Sequence, residues 1–579
     1  MSNNRNILTA TQADVATFTL LSEGQEVSRA YHVVSLVVNR EVNRVPSATL
    51  ILMDGEAAKE TFEISDRNEF VPGKNIEIKA GYRSSEKRIF KGIVVRHSIK
   101  IRKNGSFLIL DCKDLSVKMT VGTKNKYFIQ QKDSEIMEAL IRQNGLLFKV
   151  EPTSKPHREV VQMDMTDWDF MMMRADAIGK LVFAEDGKIT IAKPDFNQEP
   201  VQTVVFGSSL LELDAEIDAR FQFQTTKGYS WDAAGQDLTV AEGKKSPANK
   251  LGNLKEEDLA QVIGAEAKLQ HGGDVEKSEL QAWADTARQK AQMAKVKGRA
   301  KFQGTEKVKP GVIVRLMGIG NRFKGDAYIT GVRHSISDGN WETDVQFGLD
   351  PEWYAKKTGL SGTNTGWVVP LSGLHAGVVT ALENDPDGED RIKVKLPLIN
   401  KNAEGTWARV ASLDAGANRG AFFRPDIGDE VVVGFLGGDV HHPVVLGMMN
   451  SSAKPAPLDA SNDNPQKGFV SRSGMKWLMD DATINSSFET PLGNKIRLSE
   501  KNKGIVIEDQ NGNSITLDTN GITIKSAKDI KVTAAVKTEI GGRKLKIAAQ
   551  SGMEVNGGAT LKLEAGGLTE LKGGLVKIN

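Results

Sequence analysis

The last part of the sequence constrains the fold most, because it lacks the bulky residues that usually fill a domain core. The chain contains 21 Phe, 8 Trp and 6 Tyr, yet none follows Phe488, and Pro491 is the last proline. Residues 492–579 also contain no His or Cys. A compact domain of this size normally uses aromatic side chains to fill its core. We therefore expect this segment not to form an ordinary compact domain.

Apolar pairs at alternate positions recur through the tail. Alternation predicts short strands that each bury one face, and the Gly, Ala, Ser, Lys and Asn residues between the pairs permit turns. Successive pairs start about eight residues apart, with one interval of about two such units, which indicates a repeat. The pairs are Ile522/Ile524, Ile530/Val532, Leu545/Ile547, Met553/Val555 and Leu561/Leu563, and Ile540 weakly marks the middle of the long interval.

The length of the repeat predicts how many chains build the tail. About eight residues give one strand and one turn, which is too short for a single chain to wrap a full coil. Three chains that each supply one strand per face would close the structure and remove the lateral strand edges that invite aggregation. A slender three-chain axis has room for aliphatic side chains but not for aromatic rings, and continuous strand pairing excludes proline. The tail is therefore predicted to form a homotrimer.

The composition of the whole chain is that of an ordinary globular protein. Its 579 residues suggest about three to five domains, and 39% hydrophobic with 26% charged residues argues against long disordered tracts. The single cysteine, Cys112, excludes an internal disulfide framework and any multi-cysteine metal site. A formal net charge of +2 provides no global field for nucleic acid or an anionic membrane.

The sequence shows no targeting or membrane segment. The N-terminus lacks a basic region followed by an apolar run, so no secretory signal is expected. No stretch approaches the roughly 20 consecutive apolar residues of a membrane-spanning helix. The protein is expected to be made in the cytoplasm and to leave the cell by another route.

Strand patterns dominate the chain, so a mainly β protein with some α is predicted. Short Val-, Ile- and Phe-rich segments in the first part indicate a barrel or sandwich. Helices are expected near residues 133–144, 167–178 and 278–296. The predicted regions are 1–355 (strands with helical insertions), 356–370 (linker), 371–450 (about five strands, fitting an OB-fold barrel), 451–493 (neck or linker) and 494–579 (the repeat).

Three groups of residues could indicate metal binding, catalysis or calcium binding, and for each a structural role is favoured. His441 and His442 could bind a metal, but a His pair without nearby Cys favours a loop or interface role. Three aspartates could suggest acid–base catalysis, but nothing near them indicates a nucleophile or an oxyanion hole. No catalytic, cofactor or metal site is therefore predicted. These aspartates are Asp167, Asp169 and Asp176.

The third group is an acidic segment that begins at Asp385 and resembles the start of a calcium-binding loop. The spacing of its residues does not fit that of calcium ligands. Gly388 comes two places too early, and Leu396 occupies the position where a bidentate Glu is required. A solvated hairpin tip between two barrel strands is favoured instead. The acidic residues of this segment are Asp385, Asp387, Glu389 and Asp390.

Motifs along nearly the whole chain resemble those of VgrG-type spike proteins, the fused hub and needle of contractile injection systems. The first part contributes Trp168-Asp-Phe, Arg174, Gly179, Pro310-Gly311, Gly331, His334 and Trp341. The barrel contributes Gly377–Val379, Arg391–Val394, Trp407–Val410, Gly420–Pro425, Gly428–Phe435, Gly438-Asp439 and Pro443–Gly447. The tail contributes Thr490–Asn494 and Gly512-Asn513, followed by the repeat.

The resemblance implies two β-barrels in the hub of each chain, an OB-fold barrel, and a C-terminal triple-stranded β-helix needle formed by a homotrimer. It also implies contacts with inner tube and baseplate proteins, possible effector cargo, transient contact with a target membrane, and no nucleic acid. The needle of such proteins usually carries a small PAAR-repeat tip protein. The residues expected to receive that tip protein are Leu575, Val576, Lys577, Ile578 and Asn579.

The function implied is that of a structural, non-enzymatic, membrane-puncturing spike that is assembled into an injection particle and delivered outside the cell. About 45 residues between the barrel and the needle are too few for the lysozyme domain of some phage relatives. No toxin domain is expected after the needle, because the repeat continues to the last residues of the sequence. The alternatives are a trimeric polysaccharide-degrading tailspike, which needs an aromatic sugar groove, and an adhesin-like stalk, which needs a receptor-binding head.

Overall fold

The computed structural model describes residues 15–83, 85–245, 250–360, 371 and 373–578. The chain separates into two compact units, 1–450 and 451–579. Strands predominate in the first unit and make up the regular structure of the second, as the alternating patterns predict. Among the described residues, no helix is both long enough and apolar enough to cross a membrane.

Seven strands form the first half of a large sheet in the N-terminal unit. They are β1 (Ala16–Ser22), β2 (Gln25–Glu26), β3 (Val33–Glu41), β4 (Ser47–Met53), β5 (Asn75–Tyr82), β6 (Ser85–Arg102) and β7 (Gly105–Lys113). Alternate residues, such as Leu108 and Leu110 on β7, are fully buried, which is the period of a strand with one core face. Cys112 continues this row, and burial raises the pKa of its thiol to about 12.

A mixed α/β layer follows this half of the sheet. Its elements are β8 (Lys124–Lys132), α1 (Asp133–Gln143), β9 (Leu147–Val150), β10 (Pro156–Met165), α2 (Asp167–Ala177), β11 (Leu181–Glu185) and β12 (Lys188–Ala192). The two helices predicted here are confirmed. Thr166 caps α2, because its side chain accepts a hydrogen bond from the backbone N–H of Asp169. Met171, Met172 and Met173 are buried in the core beside α1.

The second half of the large sheet, a separate three-stranded sheet formed by residues 225–232, 237–242 and 266–271, and three helices complete the region predicted as the hub. These elements are β13 (Gln202–Val205), β14 (Leu210–Ile217), β15 (Thr225–Asp232), β16 (Asp237–Glu242), α3 (Glu256–Ile263), β17 (Glu266–His271), α4 (Lys277–Ala294), β18 (Val296–Gln303), β19 (Ile313–Met317), β20 (Gly325–Ser337), β21 (Asn340–Phe347) and α5 (Tyr354–Lys357). Helix α4 confirms the third predicted helix, and it buries Leu280 and Trp283.

The two halves share one hydrogen-bonded sheet of 13 strands, because β20 pairs antiparallel with β3 through Val332 and Arg40. Each half nevertheless surrounds its own apolar core, one containing Leu50 and the other containing Phe302. The region predicted to contain two hub barrels therefore has two cores along a single sheet. The strand order is β14-β18-β21-β20-β3-β4-β7-β6-β5-β1-β2, with β19 pairing with β20 and β13 with β19.

Five strands after the hub close into a barrel, in the order β22-β23-β24-β28-β27, as the predicted OB-fold requires. Its interior is built from buried aliphatic residues such as Val394 and Val431. Most of the linker predicted before it, 356–370, lies outside the described residues. The strands of this region are β22 (His375–Ala381), β23 (Ile392–Lys395), β24 (Thr406–Val410), β25 (Ala415–Gly416), β26 (Arg419–Gly420), β27 (Glu430–Phe435) and β28 (Pro443–Met448).

The C-terminal unit contains one seven-stranded antiparallel sheet in which each strand pairs with the next. Its first three strands lie within 451–493, the segment predicted as a neck or linker. The needle boundary predicted at residue 494 falls inside the same sheet. The strands are β29 (Gln466–Val470), β30 (Lys476–Asp480), β31 (Asn485–Glu489), β32 (Lys495–Ser499), β33 (Gly504–Glu508), β34 (Ser514–Asp518) and β35 (Gly521–Lys525).

The predicted repeat lies partly in this sheet and partly beyond it. Ile522 and Ile524 belong to β35. Residues 526–578 contain no strand within this single chain, although the repeat predicts one strand per unit. A strand exists only when its backbone groups pair with a neighbour, and the trimeric arrangement predicted for the tail would supply that neighbour from other copies.

Candidate functional site

One face of the C-terminal sheet carries a continuous row of apolar side chains. Phe488 pairs directly with Ile496, and Ile496 pairs with Ile507. The same register extends across all seven strands. Every member of the row is between 37% and 60% exposed. The row consists of Phe469, Trp477, Phe488, Ile496, Ile507, Ile515 and Ile524.

A second apolar row runs beside the first on the same face and contains Met479, Leu498, Ile505 and Ile522, all of them exposed. The opposite face carries polar side chains, including Lys495, whose Nζ lies 2.8 Å from Glu508 Oε2. An antiparallel sheet with one polar and one apolar face normally buries the apolar face. No described residue of 451–578 covers it, so a single chain leaves this surface open to solvent.

The predicted apolar pairs beyond the sheet are exposed as well. The exposed fraction of these side chains lies between 54% and 74%. The single chain therefore leaves the apolar side chains of the repeat open to solvent, as it leaves those of the sheet. The side chains concerned are Ile530, Val532, Leu545, Ile547, Met553, Val555, Leu561 and Leu563.

The residues predicted to receive a tip protein lie in no regular element. Leu575 is 77% exposed, Val576 50% and Ile578 86%, and Lys577 is exposed. Asn579 lies outside the described residues. The single chain therefore presents these side chains to solvent without bringing them into one pocket.

A network of buried charges lies in the N-terminal unit, beside the OB barrel. Asp133 Oδ1 accepts a hydrogen bond from Arg174 Nε at 2.7 Å, and its Oδ2 lies 2.8 Å from His157 Nε2. The other imidazole nitrogen of His157 contacts Glu279. Burial opposes ionisation of Asp133, but Arg174 and His157 outweigh it and hold the pKa of Asp133 well below its usual range. Burial alone would lower the pKa of His157, but hydrogen bonds to Asp133 and Glu279 raise it to about 9.

A second cluster surrounds Asp439, in the turn between β27 and β28. Asp439 Oδ1 accepts from the backbone N–H of His441 at 2.9 Å and lies 2.7 Å from its Nδ1. The other carboxylate oxygen lies 3.1 Å from His271 Nε2 and 3.6 Å from His442 Nε2. Burial lowers the pKa of His442 to about 4, so its ring is neutral at pH 7. Burial opposes protonation of His441, but Asp439 outweighs it and raises the pKa of His441.

The structure separates the two histidines of the predicted pair. His441 contacts Asp439 Oδ1, whereas His442 lies near Asp439 Oδ2 and His271. Within the described part of the chain, His271, Asp439 and His442 are the only group of three such residues close enough to share a metal ion. Sequence reasoning missed this cluster, because His271 lies far from Asp439 and His442 along the chain.

The aspartates weighed as catalytic groups have structural partners. Asp167 accepts hydrogen bonds from Gln143 at 2.8 Å and Asn144 at 2.7 Å. Asp169 accepts one from the Tyr354 hydroxyl at 2.7 Å, and Asp176 pairs with Lys290. These contacts hold α2 to its neighbours and do not form an acid–base pair.

The acidic segment weighed as a calcium loop also has structural partners. Asp385 pairs with Arg391 at 2.5 Å and accepts from the backbone N–H of Glu389 at 2.9 Å. Asp387 Oδ1 accepts from Arg158 Nη2 of β10 at 2.7 Å. The segment therefore links the tip of a barrel hairpin to the hub.

The charge network predicts a pH-dependent stability of the N-terminal unit. The pKa of His157 is raised from its ordinary value of 6.5 to about 9. Protonated His157 therefore contributes its full share to the free energy of unfolding below pH 6.5, and this share is lost as the pH rises through 9. Unfolding measured by denaturant titration should show stability falling by up to about 3 kcal/mol across this range. His157→Gln should remove that fall, and His32→Gln, at an exposed histidine, should retain it. Equal pH slopes for His157→Gln and the unaltered protein would contradict the assignment.

Three family models match successive parts of the chain. Residues 12–338 match the Alg8 N-terminal domain. Residues 375–449 match the Type VI secretion system/phage-baseplate injector OB domain. Residues 485–579 match the Phage baseplate V C-terminal trimerisation domain. The second of these ranges coincides with the closed barrel, and the third includes most of the apolar rows and the tail.

Curated relatives match over shorter stretches. The type VI secretion system spike protein VgrG1a of Pseudomonas aeruginosa is 26% identical over 192 residues, which cover 29% of this chain and 30% of that protein. VgrG1b of the same organism is 33% identical over 109 residues, covering 17% of this chain and 15% of that protein. The chain therefore aligns with less than a third of the length of either relative.

Solved structures show a similar fold over most of the chain. A chain of the half-lidded Francisella PdpA-VgrG complex has a TM-score of 0.52 and 9% identity, covering 90% of this chain and 89% of that chain. A chain of the lidded complex also has a TM-score of 0.52, with 10% identity and coverage of 89% and 80%. The fold, the three successive family models and the curated relatives agree with the motifs in the sequence, and the chain belongs to the VgrG-type spike proteins.

Proposed function

We propose that this protein is the non-enzymatic, membrane-puncturing spike of a contractile injection particle and that it acts as a homotrimer. The observation that carries the proposal is the continuous apolar face of the C-terminal sheet and tail, which one chain leaves exposed. Two further copies that present the same face would cover it. The match of residues 485–579 to a trimerisation domain supports this arrangement.

A needle in which three copies share this apolar face would suit a spike that must penetrate a membrane under load. Contraction of a sheath made of other proteins would drive the needle forward through a target membrane. In a three-chain needle, the load is shared among many backbone hydrogen bonds between chains, and no free strand edge remains. The polar face of the sheet, with its Lys495–Glu508 ion pair, would then form the outer, hydrated surface.

The remaining partners follow from the position of each part in such a particle. The N-terminal unit would contact the inner tube and the baseplate and would present threefold symmetry to them. The exposed Leu575, Val576, Lys577 and Ile578, together with Asn579, would form the blunt end that receives a PAAR-repeat tip protein. Effector cargo would travel with the hub or with the tip, and the assembled particle would be delivered outside the cell.

The two alternatives, a polysaccharide-degrading tailspike and an adhesin-like stalk, each make a prediction that differs from that of a spike. A polysaccharide-degrading tailspike needs carboxylates and aromatic rings in a long sugar groove, but the aspartates weighed for catalysis are hydrogen-bonded within the fold. Incubation with bacterial surface polysaccharides should release no reducing ends, and release would favour that function. An adhesin-like stalk would bind intact target cells without any other particle component.

A pair of substitutions on β35 tests the trimeric needle. Ile524 lies on the apolar face and Thr523 on the opposite face, and both are exposed in the single chain. Ile524→Lys should place a charge in the interface between copies and expose residues 526–578 to protease, with cleavage about tenfold faster or more. Thr523→Lys should leave the cleavage rate close to that of the unaltered protein. Equal cleavage rates in the two variants would contradict the proposed interface.

Removal of residues 575–579 tests the proposed tip site. The shortened chain should retain its oligomeric state, because the apolar rows and the repeat as far as Leu563 are intact. It should fail to bind a PAAR-repeat tip protein in a pull-down that the full chain passes. Val536→Ala, at a side chain that is 97% exposed in the middle of the tail, is the matched control and should bind normally. Unchanged binding by the shortened chain would refute the site.

A further inference from the structure

We propose that His271, Asp439 and His442 form a site for a divalent transition metal ion, best suited to Zn²⁺, that ties the hub to the OB barrel. His271 ends strand β17 of the hub region, whereas Asp439 and His442 lie in the turn between β27 and β28 of the barrel. The site would be present once in every chain and would act independently of the trimeric needle.

The distances between the candidate ligand atoms fit a small ion. Two Zn²⁺ ligands in a tetrahedral site lie about 3.3 Å apart, given bond lengths of roughly 2.0–2.1 Å. Asp439 Oδ2 lies 3.1 Å from His271 Nε2 and 3.6 Å from His442 Nε2. All three ligand atoms lie within 4.8 Å of one another. The three ligand atoms are therefore close enough to contact one ion.

The surrounding contacts orient the candidate ligands towards one another. His271 Nδ1 accepts a hydrogen bond from the backbone N–H of Gly273 at 3.1 Å and lies 3.2 Å from the carbonyl oxygen of the same residue. These contacts hold the ring with Nε2 facing Asp439 Oδ2, and a bound ion would take the place of the proton between those two atoms. His441 occupies the other carboxylate oxygen through its backbone N–H and its ring. Asp439 Oδ2 is thereby directed towards the two imidazoles.

Hydrogen bonding alone does not explain the position of His442. Its Nε2 lies 3.6 Å from Asp439 Oδ2, which is beyond hydrogen-bond distance. The ring lies 5.1 Å, centroid to centroid, from that of His271. Two imidazoles that converge on one carboxylate oxygen in a buried place form a His₂Asp set, which contains the nitrogen and oxygen ligands that Zn²⁺ prefers.

Space for a fourth ligand is present on one side of the cluster. Asp439 and His442 line a cavity of about 560 Å³ between the hub and the barrel. This volume admits water, and a water molecule is the usual fourth ligand where a zinc ion has three protein ligands. The cavity also provides a route by which the ion can reach the site.

The absence of a side chain at Gly273 leaves room for the ring of His442. A Cβ added at Gly273 would lie 2.5 Å from Cγ and 2.7 Å from Nδ1 of the His442 ring, which is too close for any side chain. The neighbouring Gly272 has nothing within 4 Å of an added Cβ. The two glycines therefore provide a matched pair of substitutions, of which only one should displace the ring.

The test measures metal binding by the full-length, untagged protein after treatment with a chelator. Titration with Zn²⁺ in a calorimeter should give one tight site per chain. His271→Ala and His442→Ala should each weaken binding by tenfold or more, whereas His32→Ala, at an exposed histidine, should leave it unchanged. Absence of binding by the unaltered protein, or unchanged affinity in His442→Ala, would overturn the proposal.

A second measurement separates loss of the site from loss of the fold. Co²⁺ in the site should give the strong visible absorption of a tetrahedral nitrogen- and oxygen-ligated ion. Gly273→Ala should lose that absorption, and Gly272→Ala should retain it. Circular dichroism of both metal-free variants should match that of the unaltered protein. Equal Co²⁺ spectra for the two glycine variants, or a spectrum typical of a six-coordinate ion in the unaltered protein, would contradict the assignment.

Discussion

The exposed apolar face of the C-terminal sheet is the constraint on which the molecular design depends. Seven strands place their apolar residues in direct register, from Phe469 on β29 to Ile524 on β35, and the repeat continues the pattern beyond the sheet. Burial of apolar surface stabilises a protein by about 25 cal/mol per Å². No described residue of 451–578 buries this face. Association of three copies would satisfy this requirement and produce a needle at the same time.

The N-terminal unit uses a different kind of interaction to hold its parts together. Its two sheet halves share the β3–β20 pairing, and its barrel contacts the hub through charged groups, such as Arg158 with Asp387 and His271 with Asp439. Buried charges that lose a partner are costly, so these contacts favour one arrangement of hub and barrel. A metal ion bound by His271, Asp439 and His442 would strengthen the same junction.

The sequence predicted the features that depend on local pattern. Alternation near Ile522 and Leu561 predicted apolar faces, and helical spacing predicted α1, α2 and α4. The strands within 466–489 were missed, because Ser, Asn, Asp and Pro before residue 466 suggested that the linker extended further. The cluster at Asp439 was missed for another reason. His271 reaches it only through the packing of hub against barrel, and no local spacing encodes that contact.

The most direct test of the trimeric needle is the mass of the full-length protein in solution, measured by sedimentation or native mass spectrometry at micromolar concentration. A single species with three times the 63.0 kDa chain mass is expected, because only association covers the apolar rows of the C-terminal unit. A stable monomer of 63.0 kDa under the same conditions would contradict the proposed needle and the function built on it.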